Sequence, residues 1–422
     1  MNVLWLTNIP LPEASMLMNE KPLPFGGWLV NASASLSSIN DLELSIAFPK
    51  RKLKDVKFFK GDNINYYAFP PVNDKDVSQV EENKYLEKII NESAPDIVHI
   101  FGTEFAHTLA MVNVCRKKGI KTVISIQGLV SVIARHYMAY LPPKVQNRYT
   151  FRDFLKQDNL KQQQKKFFNR GKYEIEALQK VKYVIGRTTW DRACVTQINP
   201  NVKYYYCNET LREEFYKHMW SIEKCERYSI FVSQGSYPIK GLHLMIEAMP
   251  LILKKIPKAK LYVGGNDITQ SRTLKEKLKM TYYGKYIKDL IKKYNLQDKV
   301  IFTGLLDEKQ MCERYLKSHV FVCSSSIENS PNSLGEAMIL GVPCVASDVG
   351  GVADLLKHRE EGFVYQADAS YMLAYYVTEI FSNENLALKF SKNARARAMK
   401  IHDKEENTKR MLEIYKSILT EI

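Results

Sequence analysis

Residues 324–351 read SSSIENSPNSLGEAMILGVPCVASDVGG. An apolar run, VFVC at 320–323, leads into the serines, so a strand is expected to end there. A short turn then holds Glu328, a helix opens near Asn332, and PCVASD at 343–348 forms the next strand. Strand, turn, helix and strand in that order are one unit of a parallel α/β sheet.

The same stretch carries chemistry. The first turn of a helix presents unpaired N–H groups and a partial positive charge, which suits an anion. Gly335 removes a side chain from that turn, so a phosphate can approach the backbone. Glu336, eight residues after Glu328, can accept hydrogen bonds from a ribose diol, while Glu328 can reach a sugar beyond a diphosphate. The spacing suits a nucleoside diphosphate-sugar. Ser333-Leu334-Gly335-Glu336 also spells a capping box, with Ser333 as N-cap and Glu336 bonding back to it. On spacing alone both assignments stand.

Outward from this stretch, apolar runs alternate with helical patterns across all 422 residues. YSIFVSQ (228–234), AKLYVGG (259–265), KVIFTG (299–304) and GFVY (362–365) complete a second sheet, with a helix from about Gly241 burying Leu242, Met245, Ile246 and Met249. NVLWLTN (2–8), LELSIAF (42–48), INYYAF (64–69), DIVHIF (96–101), KTVISI (121–126) and VKYVIG (181–186) make a first. The expected domains are 1–215, 216–383, and a helical tail, 384–422, that packs back on the first. Two such sheets are expected to face each other across a cleft, with ligand at the carboxyl ends of their strands.

The net charge of +15 is uneven. Residues 1–100 carry about −3, 101–200 about +12 and 251–300 about +9, which calls for an anionic partner. Segment 135–173 interleaves about ten Lys and Arg with Tyr137, Tyr140, Tyr149, Phe151, Phe154, Phe167 and Phe168. It is either a solvated helical face with its aromatics in the core or a basic surface resting on anionic lipid. Seven scattered cysteines without a CxxC pair fit reduced thiols. No apolar run reaches 18 residues and the start lacks a basic, secretory pattern, so a cytoplasmic protein is expected, peripheral on the inner membrane face at most.

E-x7-E followed by AM-x-x-G-x-P-x-V-A-S-D-x-G-G resembles the C-terminal domain of the retaining glycosyltransferases of family 4, which have the GT-B fold. PIKGL (238–242) resembles the family's lysine-glycine turn, LYVGGND (261–267) its next strand and loop, and IFTGLLD (301–307) the strand and turn near the nucleobase. The resemblance is dense over 228–365 and thinner before it, where it rests on Gly26-Gly27, PDIVHIFG (95–102) and the strand at 121–126.

The resemblance implies a GT-B, two-Rossmann-domain hexosyl- or acetamidohexosyltransferase. It takes a nucleoside diphosphate-sugar, UDP-sugar favoured, as substrate, with no cofactor and no metal. Glu336 would bind ribose and Glu328 the transferred sugar. The backbone of Asn332, Ser333 and Leu334 would meet phosphate or sugar, with Gly304 near the base. Lys240 would neutralise the diphosphate, and Gly26 and Gly27 would let their loop approach it. The acceptor would be a glycan or a polyprenyl-linked sugar in cell-surface polysaccharide synthesis, with His136, Asn208 and Glu209 on its side and His99 a lesser candidate.

Two positions depart from the family pattern. Gln234 or Gly235 stands where an Arg is usual, and Gln127 where many members have His. Gln127 can only hydrogen-bond. Arg187, after the strand at 181–186, is the expected replacement cation, unless it pairs locally with Asp191. Asp74-Lys75-Asp76 is a D-x-D triplet in a polar loop far from the other signals and is not assigned a metal. The alternatives are a basic nucleic-acid-binding protein, which lacks any recognisable motif and is not expected, a donor-binding GT-B protein with little activity, and a nicotinamide dehydrogenase, disfavoured because no GxGxxG follows the first strand.

Overall fold

The computed structural model of the protein describes residues 1–23, 26–73, 76–271 and 273–421. The chain divides into two compact units. The first holds Met1–Val132, Phe167–Arg212 and the residues from His402 onward; the second holds Ile133–Lys166 and Glu213–Ile401.

The first unit is built on eight strands: β1 (Asn2–Leu6), β2 (Glu43–Pro49), β3 (Lys57–Lys60), β4 (Ile64–Phe69), β5 (Ile97–Phe101), β6 (Lys121–Ser125), β7 (Tyr183–Gly186) and β8 (Lys203–Tyr206). Their order is β3-β4-β2-β1-β5-β6-β7-β8, parallel except for β3. Strands buried on both faces must be apolar throughout, which is why these runs do not alternate. Side chains nevertheless point alternately to two cores. Leu4, Leu6, Val98, Ile100 and Ile124 pack with the helix Ala106–Lys118. Val3, Trp5, Phe101, Val123 and Ile185 pack with the helices Gly27–Ser37 and Lys404–Thr420.

Strand β3, KFFK, was not expected from the sequence. It is a short, mostly exposed antiparallel edge with a lysine at each end, a device that discourages further strand pairing.

His99 serves this packing. Its ring joins Tyr415 Oη through Nδ1 (2.5 Å) and Ser125 Oγ through Nε2 (2.6 Å), and Trp5 Nε1–H donates to the same tyrosine (3.0 Å). Burial pushes the imidazole down to about 3, so it is neutral. His99 ties the C-terminal helix to the sheet and is not an acceptor group.

The second unit has six parallel strands: β9 (Glu226–Val232), β10 (Lys260–Val263), β11 (Val300–Phe302), β12 (Ser318–Cys323), β13 (Cys344–Ser347) and β14 (Gly362–Tyr365). Their order is β11-β10-β9-β12-β13-β14. The helix Leu242–Lys255 buries Leu242, Met245, Ile246 and Met249 as its spacing predicts. Each sheet reverses its winding once, between β1 and β5 and between β9 and β12. Open α/β sheets take ligands beside the carboxyl ends of the strands at such points.

Two segments lie elsewhere than the sequence suggests. The tail does not return as one piece. The helix Glu384–Ile401 stays in the second unit, burying Ala387, Phe390, Ala394 and Ala398, with Phe390 edge-on to Phe363. Arg397 there donates to the carbonyls of Leu355 (2.6 Å) and Asp354 (2.7 Å). Asp403 then caps a new helix, Lys404–Thr420, and only this one joins the first unit.

The basic segment 133–166 packs with the second unit, although the chain on either side of it belongs to the first. Thr150 Oγ1 donates to the Met280 carbonyl (2.8 Å), and buried Asp153 accepts from the Tyr282 N–H (2.8 Å). Among the described residues, no helix is long and apolar enough to cross a membrane.

Candidate functional site

In the second unit the site lies at the β9/β12 reversal. The loop after β9 closes in a short 3-10 turn, Pro238–Lys240, and Gly241 follows with φ 67°. A Cβ there would lie 1.7 Å from the Ser324 carbonyl oxygen, so only glycine lets this turn lie against the loop after β12. Ser326 N–H bonds the Ile239 carbonyl (2.8 Å), and Ser324 Oγ–H reaches those of Lys240 and Gly241 (3.2 and 3.1 Å). The two loops are thereby held as one piece.

On that piece Lys240 Nζ donates to Glu328 Oε1 at 2.6 Å, and Ser325 Oγ–H donates to the same oxygen at 2.6 Å. Burial works to lower the pKa of the ammonium, but the Glu328 carboxylate beside it prevails and holds it above the ordinary lysine range. The Gly-Gly of the 324–351 stretch supports Glu328 from behind. Gly351 N–H bonds its carbonyl (3.1 Å), and a Cβ on Gly350, at φ 54°, would lie 1.8 Å from that oxygen. Ser325 was not singled out in the sequence, since nothing in a run of three serines says which one turns to the carboxylate.

The helix Asn332–Leu340 opens as expected, but not through a capping box. Its N-cap is Pro331, with no side-chain cap bond. Proline pre-sets the extended entry and displaces the helix start ahead of Ser333. Glu336 therefore sits beyond the first turn, 7% exposed. Leu334 N–H is used inside the turn, bonding the Pro331 carbonyl (2.9 Å). Gly304 lies after β11, its carbonyl accepting from Gly265 N–H (3.1 Å). Gln234 is exposed and accepts from Tyr237 Oη–H (3.2 Å). Gly235 is hemmed in by Leu242 and Val263.

In the first unit Arg187, Gln127 and Glu209 come together at the carboxyl ends of β6, β7 and β8. Arg187 Nη1 pairs with Glu209 Oε2 at 2.5 Å, and Gln127 Nε2–H donates to Glu209 Oε1 at 2.6 Å. The pair is 5% and 9% exposed. Arg187 does not pair through its side chain with Asp191, whose carboxylate instead accepts the Arg187 backbone N–H (2.9 Å).

Arg187, expected as the replacement cation for phosphate, is paired with Glu209 in a buried setting. Glu209 and Gln127 are spent on the same network. His402 bonds the Glu209 carbonyl through Nδ1 (2.7 Å). Beside them lies a cavity of about 20 Å³, room for about one water, with Asn208, Trp28, Phe101 and Met411 in its wall. Gly26 begins the helix Gly27–Ser37, and the Arg212 side chain packs against Gly27.

His136, placed on the acceptor side by sequence, groups with the second unit, and its carbonyl accepts from Ser326 Oγ–H (3.3 Å). Burial, and then Arg135, push its imidazole below the usual range. Asp74 lies outside the described residues; Asp76 bonds Ser78 and Gln79 (2.6 and 2.8 Å).

Residues 213–397 match the family described as Glycosyl transferases group 1. The Bacillus subtilis protein YtcC, itself named only provisionally as a glycosyltransferase, is 29% identical over 209 residues, 49% of this chain and 48% of that one. The chain thus spans about half the length of the curated relatives it matches first. Sucrose-phosphate synthase from Thermosynechococcus elongatus superposes with a TM-score of 0.68 at 16% identity, covering 99% of this chain and 98% of that one. Anabaena HepE, solved in complex with UDP and glucose, gives 0.68 at 14% identity over 99% and 100%. The fold is GT-B, with two Rossmann-like parallel-sheet domains.

Proposed function

We propose that this chain, with its GT-B fold and its group 1 glycosyltransferase match over 213–397, is a retaining glycosyltransferase that moves a hexose or acetamidohexose from a nucleoside diphosphate-sugar to a hydroxyl of a glycan or lipid-linked acceptor. The observation that carries this reading is the Lys240–Glu328 pair, held on two fused loops beside the start of the helix Asn332–Leu340.

In the ligand-free pair each group neutralises the other. A bound diphosphate takes Lys240 from Glu328 and leaves that carboxylate to the hydroxyls of the transferred sugar. The bond from the anomeric carbon to the β-phosphate oxygen breaks, and the acceptor oxygen attacks from the same face. The acceptor proton passes to the departing phosphate, so no enzymic base is required. Lys240 and the helix start stabilise the charge that develops on that phosphate. A cation built into the chain makes a divalent metal unnecessary in this scheme.

A thermal-shift and turnover panel of UDP-, GDP-, ADP- and dTDP-sugars, run in EDTA, tests the proposal. At least one donor should raise the melting temperature and turn over. Silence from all of them, or activity restored only by Mn²⁺ or Mg²⁺, rejects it. A UDP-sugar is the favoured donor, a reading supported by the UDP complex of the HepE structure.

Glu336 is assigned to the ribose. A diol bonds a charged carboxylate better than an amide by roughly 1–3 kcal/mol. Glu336→Gln should therefore weaken donor affinity about tenfold or more while the melting temperature of the free protein stays near wild type. Calorimetric titration with UDP reads this directly; equal affinity dismisses the role.

The acceptor side is proposed to work at an anionic membrane surface, in cell-surface polysaccharide synthesis. The helix Phe151–Lys156 leaves Phe151, Phe154 and Leu155 exposed, with Tyr149 before it and Arg148 and Lys156 alongside. Exposed aromatics among basic residues suit a lipid headgroup layer. The protein should sediment with phosphatidylglycerol-containing vesicles and not with phosphatidylcholine alone, and Phe151→Asp should reduce that binding.

A further inference from the structure

The reversal point of the first sheet holds a group of side chains that nothing above uses. Asn8 follows β1, and Gly102, Thr103 and Glu104 follow β5, the two strands between which the winding reverses. Asn8 Nδ2–H donates to Glu104 Oε2 at 2.8 Å, and Asn8 Oδ1 is 2.7 Å from Nε2 of His107, in the first turn of the next helix. Since the amide has given its N–H to the carboxylate, its oxygen must accept, which fixes the proton on His107 Nε2. Burial pushes His107 down to about 4, so this donor stays neutral and keeps its orientation at physiological pH.

The chain therefore runs imidazole to amide to carboxylate and ends at Glu104, half-buried, whose second oxygen, Oε1, takes no side-chain hydrogen bond among the described residues. The backbone makes room for it. Gly102 has φ 90°, a left-handed conformation that favours glycine, and the Glu104 carboxylate lies against it. Arg170, held over the Phe105 ring at 4.9 Å, adds a positive charge nearby without pairing with the carboxylate.

We propose that Asn8, Glu104 and His107 form a hydroxyl-binding subsite for the acceptor, in which Glu104 Oε1 receives a sugar hydroxyl and Asn8 with His107 holds the carboxylate toward it. This rests on the glycosyl-transfer reading and adds the class of group the acceptor presents there: an alcohol of a sugar, which donates to the carboxylate oxygen. Glu104 and Asn8 sit at the strand ends where an α/β sheet takes its ligand. The left-handed glycine, the preset tautomer and a carboxylate oxygen without a side-chain partner all serve one directed acceptor atom.

The test uses the full chain and a panel of methyl hexopyranosides (gluco, galacto, N-acetylglucosamino) as probes, read by saturation-transfer NMR, with UDP titration alongside. At least one glycoside should bind, and Glu104→Gln, which keeps shape and the Asn8 contact, should weaken it roughly 10–100-fold with UDP affinity unchanged. Asn8→Ala, which releases the carboxylate from its anchor, should weaken it less. If no glycoside binds the wild type, or if Glu104→Gln binds as well as wild type, the subsite is wrong. Failure of UDP to bind would instead remove the donor reading and leave the glycoside result to judge this one.

Discussion

Arg187→Ala should destabilise the first unit by about 3–5 kcal/mol, far more than an active-site truncation in an open cleft would. The reason is the environment of its partner. Glu209 is 9% exposed and meets the guanidinium at 2.5 Å, so removing Arg187 leaves a buried carboxylate without that cation. Gln127 still donates to it, but a neutral amide offsets only part of the desolvation.

Lysine at 187 keeps the charge but loses the fork that also reaches the carbonyls of Ile126 and Gln127 (3.4 Å each), so it should fall between. Arg187→Met with Glu209→Leu removes both charges and should recover much of the loss, because a buried pair is seldom better than a well-packed apolar one. Thermal melts, with hydrogen exchange on peptides from β6 to β8, measure this. An Arg187→Ala protein that melts like wild type yet turns over slowly would return Arg187 to the leaving phosphate.

Arg187 also marks where sequence legibility ends. All three residues of its network could be singled out, as candidates at strand ends, yet not as one another's partners. Gln127, Arg187 and Glu209 are far apart in the chain, and no spacing states which carboxylate a guanidinium will find. The 324–351 stretch was legible for the opposite reason: strand, turn and helix are all local, so Glu328 and Glu336 fell where their spacing put them.

Even there, the purpose of Gly350 was not legible, because the carbonyl it must avoid belongs to Glu328, on another loop. The capping box failed through competition, since Pro331 fixed the helix entry before Ser333 could cap it. Charge alone located the segment 135–173 but not the attachment of its larger part to the second unit, where Thr150 and Asp153 meet residues 280 and 282. The split of the tail followed from a stripe of Ala387, Phe390, Ala394 and Ala398, small enough to read as a polar-faced helix and apolar enough to bury.

Lys240→Ala should cost turnover about 10²–10³, the effect of deleting one preorganised donor to a developing oxyanion. Donor affinity should fall by less, because the charge on the departing phosphate is greatest at the transition state and interactions made there act on the rate. Two effects reinforce each other in this site. The substitution removes the cation and also leaves the Glu328 carboxylate, no longer neutralised, close to where the diphosphate must sit.

Lys240→Ala with Glu328→Gln should therefore recover some donor affinity relative to Lys240→Ala alone while remaining slow. A lysine that served only solubility could not produce that pattern. The free protein should lose less stability than Arg187→Ala does, since Lys240 and Glu328 keep 23% and 12% of their side-chain surface and Ser325 still donates to the carboxylate. The pH profile separates charge from packing. Because the pair raises the ammonium above its ordinary range, protonation persists where a free lysine would begin to lose it, and wild-type turnover should not decline from this group up to about pH 10. A decline centred near pH 8, or an alanine variant with wild-type turnover at saturating donor, would show that the diphosphate is neutralised by some other group.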